Sequence, residues 1–190
     1  MVDGGSWYVE ALAVALAIAY LVLAIRENRW CWPAGMLSSA LYGAVFYDSR
    51  LYMEALLQLF YIGISVWGWW RWSMPRAAAP IVRWPPVVHA LVAMGVVAVA
   101  ALNALLLEQF STAALPWADA LVTWGAVATT WMVARKVLEN WLWWLVVDAA
   151  SLAIYVARDL WLTAALFAVY LVMAVAGWRA WRRRWRQALP

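Results

Sequence analysis

The chain has 190 residues, 68% hydrophobic and 13% charged, with a formal net charge of +4 and a mean hydropathy of +0.75. A soluble domain is about half apolar and about a quarter charged, so a soluble globular enzyme is excluded by the lack of polar surface, and a disordered chain by the excess of apolar surface. A lone Cys31 and a lone His89 also exclude an internal disulfide, a thiolate metal cluster, a zinc hydrolase and a Ser-His-Asp triad.

A bilayer-spanning helix needs about 20 mostly apolar residues. The sequence predicts seven, over 8–25, 32–47, 51–70, 87–107, 117–134, 141–157 and 160–178. The first has neither a basic n-region nor a small-x-small cleavage site, so it is expected to be retained rather than removed as a signal peptide. Pro33, Pro85, Pro86 and Pro116 fall at helix starts, where a missing N–H costs little.

Lys and Arg in short loops set orientation. With the N-terminus outside, the inner segments hold Arg26, Arg29, Arg71, Arg76, Arg83, Arg135, Lys136, Arg179, Arg182, Arg183, Arg184 and Arg186, and the outer segments hold only Arg50 and Arg158. A split of twelve to two supports an odd number of spans, N-out and C-in. It also makes the basic tail (after 178) a cytoplasmic anchor near anionic lipid rather than a nucleic-acid site.

Shifting the chain by 109 residues lays 10–72 on 119–181 with 16 identities in 63 positions, against roughly five or six expected by chance. Arg26 meets Arg135, Trp32 meets Trp141, Tyr61 meets Tyr170, and Gly68, Trp69 and Trp72 meet Gly177, Trp178 and Trp181. Each unit holds three spans, with span four as connector. The expected divisions are 1–73, 74–109 and 110–190. Four crossings separate the unit starts, so the repeats are parallel. Transporters are commonly built from such repeats.

Ionisable groups inside spans are costly and mark function or a partner. Asp148 lies mid-span in span six, with no cation expected at its depth. Trp141, Trp144 and Asp148, at spacings of three and four, share one helical face. Indole faces stack on flat rings and attract cations, so this face suits a flat aromatic cation. The bland alternative for Asp148 is a salt bridge or a protonated, packed acid. Glu54 and Gln58 share a face of span three; Ser38 and Ser39 lie in span two, Ser39 being the repeat partner of Asp148. Thr129, Thr130 and Asn103 are read as helix-packing hydrogen bonders. His89 is expected to be packed or interfacial. Trp69, Trp70, Trp72, Trp178, Trp181 and Trp185, beside the inner Arg clusters, are expected to form an interfacial belt. No Gly-rich phosphate loop or metal-ligand set appears, so no cofactor and no metal is expected. A retinal protein fails for want of a Lys in its last helix, since the only Lys is Lys136.

Three segments resemble the PnuC family of vitamin transporters: Trp30 to Tyr42; Leu51-Tyr52 with Leu57-Gln58, Tyr61, Gly68-Trp69 and Trp72; and Arg135-Lys136 with Glu139-Asn140-Trp141 and Trp144. The resemblance covers nearly the whole chain. It implies an all-α integral membrane protein of three plus one plus three helices, akin to the sugar-transporting SWEET proteins, and a homotrimer. It implies facilitated uptake of nicotinamide riboside across a bacterial inner membrane, with a cytoplasmic kinase trapping the product, or of thiamine in related branches. By the same resemblance the substrate contacts are Gln58, Tyr61, Trp141, Trp144 and Asp148; apart from it, Glu54, Ser38, Ser39 and Tyr170 are secondary candidates. The riboside branch often has Asn at the Asp148 position, which keeps a thiamine-type substrate in view. A non-transporting scaffold and a membrane-embedded enzyme are the alternatives from other classes.

Overall fold

A computed structural model describes residues 4–48, 52–74, 80–110, 116–157 and 159–188, except for the side chains of 4–7, 10, 52–54, 107, 110 and 162. Arg50, Arg76 and Arg158, and the side chains of Glu10 and Glu54, lie outside the described residues. Among those described there are seven helices: α1 Gly4–Ile25, α2 Cys31–Asp48, α3 Tyr52–Ser73, α4 Pro86–Phe110, α5 Pro116–Ala134, α6 Asn140–Ala157 and α7 Trp161–Gln187. Pro86 and Pro116 each open a helix, and Pro33 sits in the first turn of α2.

The expected spans match these helices to within a few residues, with one larger departure. Helix α7 runs nine residues past the expected end at 178 and carries the basic segment within it. Arg and Trp are adequate helix formers, so loss of hydropathy ended the predicted span without ending the helix. Among the described residues three helices are long and apolar enough to cross a membrane on their own, over Pro86–Leu106, Asn140–Ala157 and Thr163–Gln187, and a shorter apolar stretch covers Ala11–Ile25. Helices α2, α3 and α5 carry more Trp, Tyr, Ser, Thr and Gly, whose mixed polarity lowers their apparent hydropathy.

The chain divides into two compact units, residues 1–79 and 80–190. In the first, α2 packs against both α1 and α3. Ser38 Oγ, buried on α2, donates to the Ala13 carbonyl of α1 at 2.8 Å. In the second unit α4 packs on α5, α5 on α6, and α6 on α7.

Within lipid, helices associate through close packing and hydrogen bonds rather than through the hydrophobic effect, so small residues at contacts matter. The tightest such contact in each unit is built alike. In the first, Trp32 of α2 lies on Gly68 of α3, where an added Cβ would fall inside the indole. Trp32 also meets Trp72 edge-on, with ring centroids 5.5 Å apart. In the second, Trp141 of α6 lies on Gly177 of α7 and meets Trp181 edge-on at 5.5 Å. All four indoles are buried. Trp72 and Trp181 are therefore core residues, which corrects the expectation that they belong to an interfacial belt: each turns its ring inward onto a partner Trp.

The turns entering α2 and α6 also match. Asn28 N–H donates to the Leu23 carbonyl and Glu27 N–H to the Ala24 carbonyl; Val137 N–H donates to Met132 and Lys136 N–H to Val133. This is the Schellman pattern. It places Glu27 and Lys136 in the left-handed region, at φ 55° and 54°.

Candidate functional site

Helix α6 carries the three residues singled out as a cation-binding face. Trp141, Trp144 and Asp148 recur at helical spacing and so lie along one side of it. Asp148 is 3% exposed. The ion pairs seen among the described residues join Arg83 to Glu139 at 2.6 Å and bring His89 within 3.8 Å of Glu139; Asp148 takes part in neither. The salt-bridged alternative for Asp148 is thus unsupported by any described cation. A turn away, Trp144 is half-buried, and its Nε1 is buried without a hydrogen-bond partner. Trp141 Nε1 is likewise unbonded, but the two indoles differ. Trp141 is wholly enclosed, its ring spent on Gly177 and Trp181, whereas Trp144 retains exposed ring surface.

The remaining candidates divide. Gln58 and Tyr61 lie on α3 in the first unit, both half-buried. Gln58 Cβ sits 3.4 Å from where a Cβ on Gly43 would stand, so the absence of a side chain at 43 lets α2 accept Gln58. Tyr61 meets Phe60 edge-on at 6.0 Å. Ser38 is committed to the α1–α2 hydrogen bond, and Ser39 is half-buried beside it. Tyr170 packs edge-on against Phe167 at 5.5 Å. Thr129 and Thr130 donate back to Gly125 and Ala126 within α5, so their hydroxyls are bonded inside their own helix and not between helices, which corrects the packing role expected of them.

One cluster joins elements that spacing did not bring together. Val82 pairs in parallel with Val137: its N–H donates to the Lys136 carbonyl at 3.0 Å, and Leu138 N–H donates to Val82 at 2.8 Å. This docks residues 80–84 onto the α5–α6 turn. Glu139 then accepts from Arg83 Nε at 2.6 Å and from Trp84 N–H at 3.3 Å. Trp143 Nε1 donates to His89 Nδ1 at 3.2 Å, so His89 is packed, as expected. The Arg83 guanidinium also covers Trp185 of α7 at 5.3 Å. Glu139 thereby fastens the approach to α4 onto the start of α6, directly before Trp141. The 56-residue separation of Arg83 and Glu139 left no signal in the sequence.

Arg–Trp stacking recurs where the inner Arg clusters were placed: Arg29 on Trp69, Arg71 on Trp67, Arg135 on Trp131 and Arg182 on Trp178, at 4.9 to 5.8 Å. These pairs tie aromatic rings to cations and give four of the Trp outside the core a partner.

Residues 7–183 match the family model described as nicotinamide mononucleotide transporter. The nicotinamide riboside transporter PnuC of Escherichia coli (strain K12) is 26% identical over 204 residues, covering 93% of this chain and 85% of that protein. The riboflavin/roseoflavin transporter RibM of Streptomyces davaonensis is 26% identical over 182 residues, covering 90% and 83%. A crystal structure of the vitamin B3 transporter PnuC superposes with a TM-score of 0.76 at 19% identity, over 98% of this chain and 85% of that one.

Proposed function

The chain belongs to the nicotinamide mononucleotide transporter family, a family of membrane vitamin transporters and not of enzymes, and from that premise we propose that its substrate is a flat cationic vitamin precursor, nicotinamide riboside foremost. The observation that carries this choice is Asp148, buried, without a described cation, one turn from Trp144. A carboxyl in that position costs stability unless a positive partner arrives. The pyridinium of nicotinamide riboside provides one. Trp144 stacks on the ring, Asp148 offsets its charge, and Trp141, seated on Gly177, fixes the helix that presents them.

Thiamine is the second reading, because its thiazolium ring satisfies Asp148 equally well. Riboflavin, the substrate named for RibM, is neutral and makes no use of Asp148.

The proposed architecture is seven spans in a parallel three-plus-one-plus-three repeat of SWEET type. The two Trp–Gly–Trp contacts and the two left-handed turns, each pair 109 residues apart, support it. The twelve-to-two distribution of Lys and Arg supports an inner-membrane protein with its N-terminus outside and its C-terminus in the cytoplasm. Transport is facilitated diffusion through a homotrimer, with the substrate trapped by a cytoplasmic kinase.

Calorimetric titration of the purified protein with nicotinamide riboside, thiamine and riboflavin tests the assignment. Saturable binding of nicotinamide riboside, tighter than that of the other two, is the expected result. Preference for thiamine moves the substrate within the cationic class, and preference for riboflavin removes the role given to Asp148.

A further inference from the structure

The imidazole of His89, in the first turn of α4, stands between two residues one helical turn apart: Glu139, directly before α6, and Trp143, in its first turn. Trp143 Nε1 donates to Nδ1 of the ring at 3.2 Å. On the other side, Nε2 lies 3.8 Å from Glu139 Oε2. That is too long for a hydrogen bond, and Nε2 is buried with no partner. The Trp84 ring closes a third side, with centroids 5.7 Å apart.

An indole N–H only donates, so Nδ1 is the acceptor and the ring is neutral, with its proton on Nε2. The two contacts respond in opposite senses to a second proton. A proton on Nδ1 sets donor against donor and breaks the bond to Trp143. The positive charge draws Nε2–H onto the Glu139 carboxylate, a charge-assisted bond in place of an unbonded contact. Neutral and charged rings thus prefer different partners, and both partners belong to the same end of α6.

The surrounding charges leave this exchange open. Arg83, of the 80–84 segment, holds Glu139 Oε1 at 2.6 Å and leaves Oε2 to the imidazole and to the longer bond from Trp84 N–H. Lys136 meets the same segment through its carbonyl. Beyond the end of α5, Arg135 lies a ring further out, stacked on Trp131, which meets Trp84 at 5.2 Å. Helix α7 contributes the uncharged Trp185 beneath the Arg83 guanidinium. On α6 the next acid, Asp148, is nine residues past Glu139, about 13 Å along the helix.

We propose that His89 is a proton-operated joint between α4 and α6: neutral, it holds Trp143; charged, it releases Trp143 and takes Glu139. Histidine is the side chain that changes charge between about pH 5 and 8. On the orientation proposed above, the joint lies at the cytoplasmic end and responds to cytoplasmic pH. Trp143 adjoins Trp144 in the chain, so the exchange alters how firmly α4 holds the part of α6 assigned to the vitamin. The joint itself is the same whichever vitamin is carried.

His89 is the only histidine, so nitrogen NMR of histidine-labelled protein, purified without a histidine tag, reads this one ring. At about pH 8, Nδ1 should give an unprotonated signal and Nε2 a protonated one; at about pH 5 both should be protonated. The Trp143 indole N–H signal, identified by its absence from Trp143→Phe, should move upfield over the same range as its bond is lost. In His89→Gln, neutral at every pH, it should not move. A ring that keeps one charge state throughout overturns the proposal. So does a proton on Nδ1 at the higher pH, or a Trp143 signal that stays put while the ring charges. With internal pH set to the same two values, the ratio of wild-type to His89→Gln uptake of nicotinamide riboside should change about 3-fold or more, the worth of the exchanged bond; a constant ratio overturns the regulatory role. Wild type that takes up no vitamin at either pH contradicts the transport reading, while the ring and indole signals still decide the joint.

Discussion

The indole of Trp141 rests on the bare backbone of Gly177, and there is no room between them for a methyl group. Gly177→Ala must therefore push α6 and α7 apart or turn Trp141 from its rotamer. Overpacking of this kind costs about 1–3 kcal/mol, and Gly68→Ala should cost a similar amount beneath Trp32. Both variants should melt several degrees lower in detergent, while Gly63→Ala, with open space at its Cβ, should melt like wild type.

Trp144 and Trp141 should separate under truncation. Trp144→Ala removes a half-buried ring assigned to stacking, so vitamin affinity should fall about 10-fold or more, as loss of an aromatic stacking platform does, with little change in melting temperature. Trp141→Ala opens a cavity at the α6–α7 contact and should cost about 3–5 kcal/mol of stability. Melting curves and titrations on the same two preparations distinguish them. Equal thermal losses would remove the assigned difference between the two indoles.

Asp148→Asn keeps the shape of the side chain and deletes its charge. Affinity for a cationic vitamin should fall about 10-fold, whereas affinity for neutral riboflavin, if measurable, should not move. The melting temperature of the free protein should rise, because a buried carboxyl without a cation is relieved. A parallel loss for charged and neutral ligands would show that Asp148 acts through shape.

Glu139→Ala leaves the Trp84 N–H and the Arg83 guanidinium without their acceptor. The Arg83 side chain is about half exposed, so the ion pair itself contributes little; the larger cost is the half-buried N–H. Residues 80–84 should then become open to protease while α6 stays protected. Limited proteolysis followed by mass spectrometry reads this directly.

Orientation can be read with a membrane-impermeant maleimide, since the only native cysteine, Cys31, is buried. Gln109→Cys should react in intact cells. Ala188→Cys should react only after permeabilisation. The reverse pattern would invert the assigned topology.

The helices were legible because apolar runs and prolines mark their bodies and starts; Pro86 and Pro116 mark theirs to the residue. The end of α7 was not, because hydropathy registers the bilayer and not the helix, and Arg179 to Arg186 continue the one while leaving the other. Trp72 and Trp181 were misplaced for a related reason. Proximity to arginine indicates the interface along the sequence, yet the direction of an indole depends on what lies across the helix. A clue was present: Gly68 and Gly177 each precede these tryptophans by four residues, one turn away, and the repeat aligns both pairs. The Trp141–Trp144–Asp148 face was legible because it lies on a single helix. The Tyr20 ring on Gly35 and the Arg83–Glu139 bond join separate helices, and only folding brings those partners together.

The Trp–Gly contacts carry a mechanical consequence. A ring pressed onto bare backbone leaves no slack for one helix to slide along the other, so α2 with α3, and α6 with α7, behave as stiff struts. Helix α1 is held to α2 by a looser contact of this kind: a Cβ on Gly35 would stop 2.9 Å from the Tyr20 ring, against 2.4 to 2.5 Å at the two Trp–Gly contacts, and Ser38 adds one hydrogen bond to Ala13. Any movement that admits or releases cargo within the first unit is then to be sought in α1, and a crosslink from α1 to α2 should arrest transport where one from α2 to α3 is tolerated.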